Sequence, residues 1–140
     1  MKNKRGFTLI ELLAVIVILA IVIAVAVPST MSISNNIKEN LYCSKIDFIE
    51  NAAKLYGEDR RDSFTSRYTI NGASYYGKKI QVKDLVTTNY LKKDNSTSPF
   101  IEDPRNKNAS LDNLYITIYI KNDRIYVYFN DTTINTTCEN

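Results

Sequence analysis

Phe7-Thr-Leu-Ile-Glu11-Leu-Leu-Ala-Val-Ile-Val-Ile-Leu-Ala-Ile-Val-Ile-Ala-Val-Ala-Val27 is the stretch on which the reading of this 140-residue chain turns. The sixteen residues from Leu12 to Val27 are all apolar, so a helix made of them offers water no face. The 21 residues from Phe7 to Val27, at about 1.5 Å rise each, span roughly 30 Å, the thickness of a bilayer's hydrocarbon layer. No other stretch of the chain is long enough to cross a membrane. Lys2, Lys4 and Arg5 precede the segment and no basic residue lies within ten positions after it, which places the N-terminus in the cytoplasm and exports everything beyond Pro28. A secretory signal cut near Ala24-Val-Ala26 and a plain signal anchor are the competing readings. A buried helix of a soluble domain fails, because the remaining chain is too small to surround a rod that is apolar all round.

Glu11 separates these readings. An acidic side chain in a spanning segment costs about 2.5 to 3.5 kcal/mol at mid-membrane and less toward the ends, which makes it a functional candidate. A positive charge in the same apolar medium would compensate it. Cleavage between Gly6 and Phe7 creates one, the new α-ammonium of Phe7. The Glu11 side chain leans toward the N-terminus, about one turn from its own Phe7. Among parallel, staggered helices it could instead meet the Phe7 ammonium of a neighbour. A buried ion pair is a weak source of stability and a good source of register.

Gly6-Phe7-Thr8-Leu9-Ile10-Glu11-Leu12-Leu13, behind a short basic leader and ahead of an apolar run, resembles the processing site of type IV pilins and pseudopilins, with a leader like that of the type IVa subclass. The resemblance covers about the first 30 residues. It implies a prepilin cut after Gly6 by a dedicated membrane peptidase that also N-methylates Phe7. The subunit is then drawn from the cytoplasmic membrane, by an assembly platform and motor, into a helical polymer of its own copies or of mixed pilins. Glu11 is the family's assembly residue, and Pro28 stands where the family carries a helix-bending proline. Neither an enzyme nor a cofactor is expected, because the sequence offers no persuasive catalytic arrangement. A pseudopilin of a type II secretion or DNA-uptake apparatus shares the same signature. A monomeric anchored or secreted binding module is the reading from another class.

Physical reasoning points the same way. A segment apolar all round is solvated equally well by lipid or by copies of itself, so its transfer from membrane to filament core need cost little hydrophobic free energy. Pro28 lacks an N–H and clashes with the carbonyl four residues back, which predicts a kink or loosening where the run ends; simple helix termination is the alternative. Three of the 18 Lys and Arg precede Phe7, and the other 15 equal the 15 Asp and Glu. The apparent basicity is therefore a targeting device and gives no convincing nucleic-acid site.

Beyond Pro28 a helical period resumes. Ile37, Leu41, Ser44, Phe48, Ala52 and Leu55 share one arc, and Tyr42, Ile46, Ile49, Ala53 and Tyr56 a flanking one. One arc suits the chain's own sheet and the other a neighbouring subunit. Gly57 reads as the helix stop. One short helix is predicted from Val82, after Gln81, to near Asn89. Leu114 to Ile120 and Arg124 to Phe129 read as paired strands around an Asn122-Asp123 turn, with Tyr126 and Tyr128 outward, and a weaker strand falls in Arg67 to Tyr76. The expected fold is α+β: a long N-terminal helix laid on a small antiparallel sheet. The expected organisation is a leader at 1–6, a membrane or filament-core helix at 7–34 and an exported head at 35–140.

In an exported chain the two cysteines, Cys43 and Cys138, are expected to pair across 95 residues, with two free thiols the alternative. Pilins often carry a disulfide near the C-terminus, although a bridge to the long helix departs from the commonest arrangement. The chain has no histidine, which removes Ser-His and Cys-His catalysis and the commonest metal ligand. Glu58, Asp59 and Asp62, or Glu102 and Asp103, lack the spacing of an EF-hand and read as solvated loop acids, so no metal is expected. Asn95, Asn108, Asn130 and Asn135 each open an Asn-x-Ser/Thr triplet and read as turn residues.

Overall fold

A computed structural model describes the backbone of residues 7–138 and their side chains except those of residues 27–31, 132, 135 and 136. Lys2, Lys4, Arg5 and Gly6 of the expected leader lie outside the described residues, as does the ring of Pro28. The chain divides into two compact units, Met1–Ile37 and Lys38–Asn140.

Helix α1 (Leu9–Asp59) begins in the first unit. Its segment Leu9–Ala26 has a mean hydropathy of 3.2 and no buried residue. Half of that segment is Val or Ile, whose stiff side chains make modest helix formers in water. In a bilayer the helix is nevertheless the conformation to expect, because each backbone N–H and C=O must find its partner within the segment. The backbone stays helical through Pro28, so the proline does not terminate α1.

The second unit is the α+β arrangement anticipated above. After α1 come a single 3-10 turn (Arg61–Ser63), β1 (Ser66–Ile70), β2 (Ala73–Gln81), α2 (Val82–Thr87), β3 (Tyr115–Lys121), β4 (Arg124–Phe129) and α3 (Thr132–Thr137). The strands form one antiparallel sheet in the order β1-β2-β3-β4. Ile116 and Ile118 on β3, Ile80 on β2, and Ile125 and Phe129 on β4 turn to one side. There they form the core with Tyr42, Ile46, Ile49, Ala53 and Tyr56 of α1. Asn122 and Asp123 take φ of +50° and +61°, the left-handed pair that a two-residue hairpin turn needs.

Four local expectations are corrected. Gly57 lies inside α1, which runs on to Asp59. A Cβ there would sit 2.8 Å from the Cγ2 atoms of both Ile118 and Ile125, so the glycine marks where helix and sheet approach closely. The Arg67 to Tyr76 segment is a hairpin rather than one strand: Asn71 (φ +49°) and Gly72 (φ +81°) turn the chain between β1 and β2. Asn135 belongs to α3, which Asp131 opens by accepting a hydrogen bond from the Thr133 N–H at 2.9 Å. Ala52, placed on one arc with Leu41, Phe48 and Leu55, is buried while those three are exposed, so that arc does not keep to a single role.

Two devices secure the long connection between α2 and β3 and the C-terminal tail. The Asp112 carboxylate accepts from the Phe100 N–H (2.9 Å), the Ile101 N–H (2.8 Å) and the Ser98 hydroxyl (3.2 Å), satisfying buried donors of an otherwise irregular loop. A disulfide joins Cys43 on α1 to Cys138 just past α3, with Cα atoms 5.2 Å apart. For a loop of that length the chain-entropy model gives somewhat under about 5 kcal/mol.

Candidate assembly interface

In the first unit Thr8 is the N-cap of α1 and Glu11 its third residue. The Thr8 hydroxyl oxygen accepts from the Glu11 N–H at 3.4 Å, and Glu11 Oε2 accepts from the Thr8 N–H at 3.3 Å and from the Thr8 hydroxyl at 3.2 Å. This reciprocal capping box satisfies two of the donors that a helix start leaves orphaned. It also sets the carboxylate against the positive end of the helix dipole. The acid is thus partly compensated by its own subunit, through groups that stay available inside a membrane. Thr8 escaped the sequence reading, although Thr-x-x-Glu ahead of an apolar run is the sequence signal for this device. Phe7 is 78% exposed, and none of the side chains from Leu9 to Ala26 is buried.

In the second unit the two arcs of α1 have different fates. Tyr42, Ile46, Ile49, Ala53 and Tyr56 are buried on the sheet, whereas Leu41, Phe48 and Leu55, seven residues apart, are 52%, 67% and 62% exposed. That spacing returns the side chain to one stripe every second turn. Phe48 and Leu55 border a groove of about 610 Å³ closed on its far side by Tyr90, Leu91 and Ile101, with Lys45 and Asp94 paired at its margin.

Four of the five acids weighed as metal ligands, all but Asp62, are held by local partners. Glu58 accepts from Arg61 Nε at 2.9 Å and Asp59 from the Tyr90 hydroxyl at 2.8 Å. Glu102 accepts from Asn95 Nδ2 at 2.7 Å, and Asp103 binds Arg105 through both carboxylate oxygens. Among the described residues no cluster of three or more His, Cys, Asp or Glu is placed to hold a metal. The Arg105 guanidinium lies 3.3 Å from the ring centroid of Tyr42. Burial opposes the charge of Asp103, but the hydrogen bonds and charge of Arg105 outweigh it and hold the carboxyl below its ordinary pKa. Burial pushes the Tyr42 phenol upward, against the pull of Arg105.

Residues 1–27 match the family model of the prokaryotic N-terminal methylation motif, the leader signature of type IV pilins. The match ends before the second unit begins. Neither the curated proteins nor the solved structures contain a match to the chain.

Proposed function

We propose that the chain is a structural subunit of a type IV pilus-like filament, made as a prepilin, cut between Gly6 and Phe7, methylated at Phe7 and polymerised through its N-terminal helix. The observation that carries this reading is an apolar helix exposed on every face behind a methylation motif. In the membrane, lipid covers Leu9–Ala26 and the capping box with Thr8 steadies Glu11. In the filament, neighbouring copies cover the same surface, and the Phe7 ammonium of an adjacent subunit competes with Thr8 for the carboxylate. The gain is a full opposite charge at low dielectric, which fixes the axial stagger of the helices. Pro28 supplies the bend, residues 7–34 the filament core and residues 35–140 the exported head. Leu41, Phe48 and Leu55 form a self-association surface of the head itself. The partners are further pilin copies, the prepilin peptidase, and the assembly platform and motor. The leader stays in the cytoplasm, and the head ends on the cell surface.

Glu11→Ala tests the assembly step. We expect a processed, membrane-resident subunit and a loss of sheared surface filaments of at least about tenfold, since removing one partner of a buried pair costs about 3 to 5 kcal/mol. Filaments at the normal level from that variant would contradict the role of Glu11.

A further inference from the structure

The four strands contain no aspartate or glutamate at all, although the chain has 15. Strand alternation sends one set of side chains to the core and the other to the opposite face, where Tyr68, Tyr75, Tyr115, Tyr119, Tyr126 and Tyr128 gather. The charged residues sharing that face are Lys79, Lys121 and Arg124, all cations. Asp123, at the adjoining turn, is engaged by Arg61 at 2.8 Å.

Three of the rings form a row across the sheet. The Tyr75 and Tyr119 centroids are 5.0 Å apart, and those of Tyr119 and Tyr126 are 5.7 Å apart with planes 26° from parallel. Lys121 Nζ lies 5.9 Å from the Tyr75 ring and Lys79 Nζ 4.8 Å from the Tyr115 ring. Cross-strand packing, worth about 0.2 to 1 kcal/mol per pair, explains the row itself. It does not explain why every charge beside the row is positive, nor why the row ends in a ring, Tyr126, that is 38% exposed on the outermost strand.

We propose that this face binds single-stranded nucleic acid. Its chemistry matches a polymer of flat π surfaces strung on phosphates: a base continues the ring stack at Tyr126, and phosphates lie near Arg124, Lys121 and Lys79. Stacking on an aromatic ring is worth about 1 to 3 kcal/mol per base and tolerates any sequence. A duplex keeps its bases inside and cannot use the ring. Net charge conceals the site, because the mature chain's charges cancel overall while the fold sorts them by face. The proposal is independent of filament assembly, which would only repeat the face many times along a polymer.

The test is fluorescence anisotropy with the full chain in detergent micelles and a fluorescein-labelled oligothymidylate of about twelve nucleotides, within the site sizes common for such surfaces. Saturable binding is expected, with a slope of about −2 in log K against log salt for three neutralised phosphates. Tyr126→Ala weakens binding about tenfold while Tyr126→Phe retains it, and Arg124→Gln makes the slope shallower by about 0.7. The proposal is overturned if the wild-type chain shows no saturable binding. Equal affinity for inorganic polyphosphate, heparin or a duplex of the same length overturns it too, as does a Tyr126→Ala chain that binds as tightly as the wild type.

Discussion

At Gly57 two opposing effects can be weighed on one atom. Alanine is the better helix former by about 0.8 to 1 kcal/mol, so a helix considered alone would gain from Gly57→Ala. The added Cβ, however, would meet Ile118 and Ile125 at 2.8 Å each, and both side chains are fixed in the core. Overpacking of this kind costs about 1 to 3 kcal/mol. We expect Gly57→Ala to lower the thermal midpoint followed by circular dichroism; a midpoint at or above that of the wild type would contradict the close approach. Asp103 and Tyr42 set a second balance. The folded state holds Asp103 below its ordinary pKa of 3.8, so the stability it lends is present at neutral pH and is lost as pH falls through that depressed value. It holds Tyr42 above the ordinary 10.0, so that contribution is present below pH 10.0 and is lost as pH rises past it. Denaturant midpoints should therefore be flat from about pH 5 to 9 and fall at both ends, with a shallower acid limb in Asp103→Asn. An acid limb of unchanged steepness in that variant would remove Asp103 from the account.

On the proposed reading helix α1 carries two jobs on one period, and a single substitution separates them. Phe48 is 67% exposed and outside the core, so Phe48→Glu should leave the unfolding free energy from denaturant titration within about 0.5 kcal/mol of wild type, as surface changes usually do. The same charge on the proposed self-association stripe should abolish surface filaments, counted by electron microscopy after shearing. Filaments at wild-type density would place the stripe outside the interface. The two arcs were legible in the sequence because a 3.6-residue period survives in a list of residues. So were the β3-β4 hairpin and the start of α2, where Gln81 and Asp84 form a capping box. Gly57 was misread because its role depends on two isoleucines more than 60 positions away, which local propensity cannot register. The β1-β2 turn was missed although Asn71-Gly72, between Ile70 and Ala73, is a strong hairpin signal. α3 has a single apolar anchor, Ile134, and no period to detect; its cap and the nearby disulfide hold it.

For the whole molecule, the first 27 residues say most about what the chain is for, and the rest says most about what it presents. Glu11 and the apolar run stood out in the sequence because a charge in that setting is costly. The compensating Thr8 was overlooked, and the cationic tyrosine face became visible only once pairing register assigned each strand residue to a side. The account rests on an apolar helix that leaves lipid for its own copies after its leader is removed. Mass spectrometry of the mature N-terminus of chains sheared from the cell surface tests this most directly. The account predicts a chain lacking the six leader residues and starting at N-methylated Phe7; a start at Met1 or near Val27 would contradict it.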